Sequence, residues 1–71
     1  MIHCIVIEDQ EPAQRILKRY IQETSFLKLD YIFNNGIAAL DYLKSHSVDL
    51  IFLDIHLPKL SGIDFLTILP V

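Results

Sequence analysis

Seventy-one residues, 52% hydrophobic and 21% charged, make a small core-forming chain and exclude intrinsic disorder. The net charge of −3 provides no clustered basic face for nucleic acid, and no stretch approaches the roughly 20 apolar residues of a membrane span. A single cysteine, Cys4, excludes an internal disulfide, the first residues do not read as a secretory signal, and a cytoplasmic location is expected.

Residues 2–7, IHCIVI, are almost continuously apolar and rich in β-branched side chains, the pattern of a strand buried on both faces of a parallel sheet. Glu8 and Asp9 follow at once. Pro12 stands where a first-turn proline stands, behind a cap at Asp9 or Gln10. Ala13, Ile16, Leu17, Tyr20 and Ile21 then recur at helical spacing opposite Arg15, Lys18, Arg19 and Gln22, predicting an amphipathic helix of about four turns. Residues 27–33, LKLDYIF, alternate imperfectly and predict a second strand. Asn34-Asn35-Gly36 reads as a turn, because Asn and Gly tolerate positive φ. Ile37, Leu40, Tyr42 and Leu43 predict a second, shorter helix. Residues 48–53, VDLIFL, are the third and most apolar strand and end on Asp54. Pro58 withholds a backbone donor and biases Leu57 away from helix. Gly62 would let the backbone turn tightly before a third helix over 63–69, ended by Pro70. The whole is an α/β chain of alternating βα units on a parallel sheet, about three strands and three helices. The apolar close on Leu69-Pro70-Val71 adds the expectation that residues 1–71 are the N-terminal part of a longer domain.

Ligands of open α/β sheets bind outside the carboxyl ends of the strands. Glu8 and Asp9 follow the first strand and Asp54 the third, so three carboxylates converge if these strands are neighbours. Such a cluster repels itself unless a cation intervenes, and Mg²⁺, a hard ion that prefers oxygen, meets that need. The ion would also offset charge on a phosphoryl group. A carboxylate at that position can be a nucleophile that forms an acyl phosphate, and loop amides could hold the phosphoryl oxygens. Plainer readings stand beside these. Asp54 could cap its loop, and Glu8 and Asp9 could simply favour the positive end of the first helix. His3 and His46 read as surface residues, Cys4 as a small core hydrophobe, and Tyr20, Tyr31 and Tyr42 as packing residues with wet hydroxyls. Lys59 reads as a solvated loop charge.

The spacing Asp54-x-x-x-Pro58-x-x-x-Gly62, with Glu8-Asp9 after the first strand, resembles the receiver domain of two-component response regulators. The resemblance runs the length of the chain: CIVIEDQEPAQRILKRYI is similar to the opening of such domains and DLIFLDIHLPKLSGIDFL to their phosphorylation segment. The wording is closest to receivers of the LytTR class, in which a DNA-binding half follows the receiver. The resemblance implies a flavodoxin-like parallel sheet of strand order 2-1-3-4-5, of which this chain carries the N-terminal part. It implies Asp54 as phospho-acceptor, Asp9 as a direct Mg²⁺ ligand, Glu8 as a ligand through water, and Asp54 and the backbone carbonyl of His56 as further ligands. It implies a histidine kinase or a small-molecule phosphodonor as partner, transcription as the controlled output, and a regulatory acceptor rather than a free-standing enzyme. Neither nucleic acid nor membrane is then a partner of residues 1–71 themselves. Glu8 replaces the commoner aspartate and Leu57 the commoner methionine. The later-strand Thr or Ser and the Lys of such domains fall beyond these residues. The third strand is therefore expected to be a sheet edge open to self-association. A receiver-like interaction module without phosphorylation is the alternative. A phosphatase with an aspartate nucleophile is disfavoured, since no acid stands two residues after Asp54.

Overall fold

The structure, a computed structural model, describes residues 1–54 together with Gly62 and Asp64. Strand β1 (Ile2–Ile7), helix α1 (Glu11–Gln22), strand β2 (Leu27–Phe33), helix α2 (Gly36–Leu43) and strand β3 (Leu50–Leu53) follow one another. β1 lies between β2 and β3 and runs parallel to both, the order β2-β1-β3. The flavodoxin-like arrangement expected from the sequence is therefore present in its first three strands.

A central parallel strand must be apolar on both faces, and Cys4, Ile5, Val6 and Ile7 are fully buried. Their alternation divides the core in two. Cys4 and Val6 pack with Ile21 and Leu17 of α1 and with Leu29, Ile32 and Phe52 of the flanking strands. Ile5 and Ile7 pack on the other face with Phe33, Ala39, Leu40 and Leu53. Burying each of the isoleucines contributes about 1.5–3 kcal/mol.

β2 explains its own imperfect alternation. Cys4 pairs with Leu29 and Ile5 with Tyr31, so Asp30 is an extra residue bulged out of the ladder. The bulge resets the period. Leu29 and Ile32 share the α1 side, while Phe33 lies on the α2 side and Tyr31 stacks against it at 4.6 Å. The displaced carboxylate of Asp30 meets the Nδ1 of His3 at 3.1 Å.

Several local expectations change. Ile16 and Tyr20 of α1 are 54% and 63% exposed, because the described sheet covers a narrower arc than the apolar pattern of the helix; Ala13, Gln14 and Leu17 are half-buried instead. Gln10 is the cap of α1 but its side chain makes no capping bond. The predicted Asn34-Asn35-Gly36 turn contains no positive φ among the described residues. Asn35 is instead the N-cap of α2, with φ −155°, and its Oδ1 accepts the Ala38 N–H at 2.8 Å. Such a cap contributes about 1 kcal/mol. Gly36 and Ala39, not Ile37, face the sheet, since small residues let the helix approach Ile5 and Ile7. β3 starts at Leu50 rather than at residue 48. Asp49 closes the strand's beginning by other bonds, donating its N–H to the His3 carbonyl at 2.8 Å and accepting the His3 N–H on its carboxylate at 2.9 Å. Gly62 is helical and buried, so close packing, not a left-handed turn, is what its missing side chain permits. The rest of the predicted third helix except helical Asp64, and the loop with His56, Leu57, Pro58 and Lys59, lie outside the described residues.

Deleting Asp30 would leave every apolar side chain of β2 on its present face, whereas deleting Leu29 would slide Asp30 into the core position opposite Cys4. The Asp30 deletion is expected to cost no more than about 2 kcal/mol in urea unfolding and the Leu29 deletion to abolish the cooperative transition. Equal losses in the two would contradict the bulge.

Candidate functional site

The carboxyl rim of the sheet is assembled by register. In the β1–β3 pair Ile7 lies opposite Leu53, so the next residue of each strand, Glu8 and Asp54, emerges at the same level. The pairing continues past the strand ends: the Asp54 N–H donates to the Ile7 carbonyl at 3.0 Å, and the Glu8 N–H donates to the Phe33 carbonyl of β2 at 2.9 Å. Glu8, Asp9 and Asp54 are all half-buried, and each offers a carboxylate oxygen within 4.8 Å of the others. The structure thus brings together three of the four residues expected at the site; His56 lies outside the described residues.

Among the described residues two glutamines stand beside the acids. The Gln10 N–H donates to Glu8 Oε2 at 3.0 Å, and the Gln10 side chain reaches Asp9 Oδ2 at 3.4 Å. Gln14, in the first turns of α1, donates its Nε2 to the Glu8 carbonyl at 2.6 Å. Sequence reasoning named Gln10 only as a candidate helix cap and passed over Gln14. The available signal was a long amide donor near the start of a helix, where side chains lean back toward the N-terminal loop.

The electrostatics are those of crowded acids. Burial is the main cause that pushes the Glu8 carboxyl above its ordinary value of 4.5. The Gln10 N–H opposes it, and the charge of Asp54 with hydrogen-bond contacts to Asp54 and Asp9 raises it further. The positive end of α1 offsets part of this repulsion. A donor set of three carboxylates at this spacing has the oxygen character that a hard divalent cation such as Mg²⁺ requires, and a cation would relieve the repulsion. The fit is therefore chemical as well as geometric.

Residues 4–70 match the response regulator receiver domain family. The chain belongs to that family. The receiver is 35% identical over 67 residues to the transcriptional regulatory protein MalR of Bacillus subtilis, a match covering 94% of this chain and 28% of MalR. It is 39% identical over 59 residues to the transcriptional regulatory protein YpdB of Escherichia coli, covering 83% of this chain and 24% of YpdB. The crystal structure of the response regulatory domain of protein MrkE from Klebsiella pneumoniae matches with a TM-score of 0.85 and 34% identity, over 90% of this chain and 52% of that chain. The receiver chain spans about a quarter of the length of these two curated relatives. Receiver domains serve phosphorelay signalling, generally take phosphoryl groups from histidine kinases and generally bind Mg²⁺ at an acidic pocket. No helix among the described residues is long and apolar enough to cross a membrane.

The raised Glu8 carboxyl has a pH consequence. The folded receiver holds this proton more tightly than the unfolded chain does. The associated stability is fully present below the ordinary carboxyl value and is lost as pH rises through the raised one. In metal-free buffer Glu8→Gln is expected to gain on the wild type in urea midpoint as pH rises from the ordinary carboxyl value through the raised one. A difference that stays constant over that range would contradict the crowding at Glu8.

Proposed function

We propose that the receiver works in the cytoplasm and accepts a phosphoryl group on Asp54 from a histidine kinase in a Mg²⁺-dependent reaction. The observation that supports this reading most is the convergence of Glu8, Asp9 and Asp54 within 4.8 Å at the rim of a receiver sheet. Asp9, Asp54 and the backbone carbonyl of His56 would hold the ion directly, with Glu8 acting through water. When bound, Mg²⁺ supplies positive charge that offsets the phosphoryl oxygens. Asp54 sits at the end of a half-buried strand, which limits the directions its carboxylate can take. One of its oxygens attacks phosphorus and forms an O–P bond as the N–P bond of the donor phosphohistidine breaks, and the leaving imidazole takes up a proton. Gln10 and the positive end of α1 hold Glu8 and Asp9 in place during the transfer.

We assign the output to transcriptional control through a separate DNA-binding part of the protein, of LytTR type. The names of MalR and YpdB as transcriptional regulatory proteins support that assignment. The net charge of −3 supports leaving nucleic acid to that part. On this reading the receiver is a regulatory acceptor rather than a free-standing enzyme. Acetyl phosphate with Mg²⁺ is expected to add one phosphoryl mass to the wild type and none to Asp54→Asn, and EDTA is expected to abolish the addition. Label retained by Asp54→Asn, or gained equally in EDTA, would sink the assignment.

A second reading concerns the 71-residue polypeptide taken alone. Among the described residues β3 pairs with β1 on one side only, and its sequence LIFL carries no charge. An uncharged edge strand invites pairing with another chain. We expect concentration-dependent association of this polypeptide by light scattering, and a monomer throughout the micromolar range would exclude it.

A further inference from the structure

Gln14 is a helix residue whose polar end is spent on the acidic loop. Its Nε2 donates to the Glu8 carbonyl at 2.6 Å across six positions of sequence, and the side chain is half-buried against the loop. Its own N–H donates to the Gln10 carbonyl at 3.0 Å, so Gln14 belongs to the rigid first turns of α1. We propose that Gln14 is a positioning residue for the divalent-cation site, orienting the Glu8 and Asp9 carboxylates through the peptide that joins them.

The geometry carries this in three steps. The Glu8 carbonyl is part of the Glu8–Asp9 peptide, and that peptide is planar, so fixing the direction of its C=O fixes the plane between the two acids. With the Glu8 N–H held by β2, the fixed C=O sets ψ of Glu8 and so places the nitrogen and Cα of Asp9 relative to the Glu8 side chain. Glu8 is held at its other polar groups as well: its N–H by the Phe33 carbonyl of β2 at 2.9 Å and its Oε2 by the Gln10 N–H at 3.0 Å. The Phe33 contact anchors the loop to the sheet, and the Gln10 contact closes the loop on itself. The Gln14 contact alone among these ties the loop to the side chain of a helix. Without it the Glu8–Asp9 peptide can rotate between its neighbours while both anchors stay in place. The half-buried, mutually repelling carboxylates would drive that rotation, since turning apart relieves their repulsion when no cation is bound. Gln14 therefore holds the acids in the crowded arrangement that a cation needs, in the way that groups behind metal ligands orient them.

The inference rests on reading Glu8, Asp9 and Asp54 as a cation site, and the experiment separates the two. Mn²⁺ binding to the intact protein is measured by electron paramagnetic resonance, with Mg²⁺ as competitor, well below the thermal midpoint. Two variants are compared with the wild type. Gln14→Met keeps the length and removes the donor, and Gln14→Asn keeps the amide but falls one methylene short. Both are expected to bind Mn²⁺ roughly tenfold more weakly, the low end of the range for groups that orient metal ligands, while their thermal midpoints in EDTA stay close to the wild type. A merely structural role would lower the midpoints and leave the affinity unchanged. Wild-type binding with either folded variant within about twofold of it overturns the positioning role alone. Should Gln14→Met fail to fold, Gln14→Asn decides the question. A wild type that does not bind Mn²⁺ overturns the cation site, and the role of Gln14 with it.

Discussion

The parallel pairing of β1 with β3 is the constraint on which the rest of the structure depends. Ile7 opposite Leu53 puts Glu8 and Asp54 at one level, and the Asp54 N–H on the Ile7 carbonyl carries the pairing one step past the strands. A slip of one residue would exchange the faces of β3, sending Phe52 toward α2 and Ile51 and Leu53 toward α1. It would also take Asp54 out of step with Glu8. The same hydrophobic packing that keeps β3 in register therefore keeps three carboxylates together. The core and the rim are one device, because the side chains that hold the strands stand immediately before the acids.

Holding like charges together has a cost, and it falls most visibly on Glu8, whose carboxyl is raised mainly by burial and further by Asp54. The surrounding contacts counter the cost without removing it. The Gln10 N–H bonds the Glu8 carboxylate, the Gln14 amide takes the Glu8 carbonyl, and Phe33 accepts the Glu8 N–H. Every main-chain polar group of Glu8 is thus used by a different part of the fold. A residue so fully tied cannot easily turn away from its neighbours, and receiver chemistry needs acids that stay where a cation can meet them.

Much of the scaffold was legible in the sequence. The nearly continuous apolar run 2–7 marked a doubly covered strand, which the structure confirms over Cys4–Ile7 while Ile2 and His3 stay exposed, because a central parallel strand has no polar face to show. The 3.6-residue pattern marked α1, but it marked too wide a face: Ile16 and Tyr20 fit the period and remain exposed. Periodicity reports which side of a helix is apolar, while the width of the buried arc depends on what packs there. The imperfect alternation of LKLDYIF was visible as a defect and not as a bulge, since Asp30 can be recognised as the extra residue only once Cys4 and Ile5 have found their partners on β2. Asn35 was read as a turn former because the same side chain serves turns and caps. Its extended φ of −155° and its bond to Ala38 make it a cap.

What the sequence by itself determined was chemical identity and local order: a βα alternation, an apolar central strand, and acids placed directly after the first and third strands. Those are properties of neighbours along the chain, and a linear text records them. The adjacency of the first and third strands was implied by the family resemblance and is present in the structure, but only the tertiary structure decided that Ile7 and Leu53 share a level and that Gln14 reaches back across six residues to the loop between the acids. These depend on contacts between segments remote in sequence, where hydrogen-bond register and side-chain volume choose among pairings that the linear pattern leaves equal.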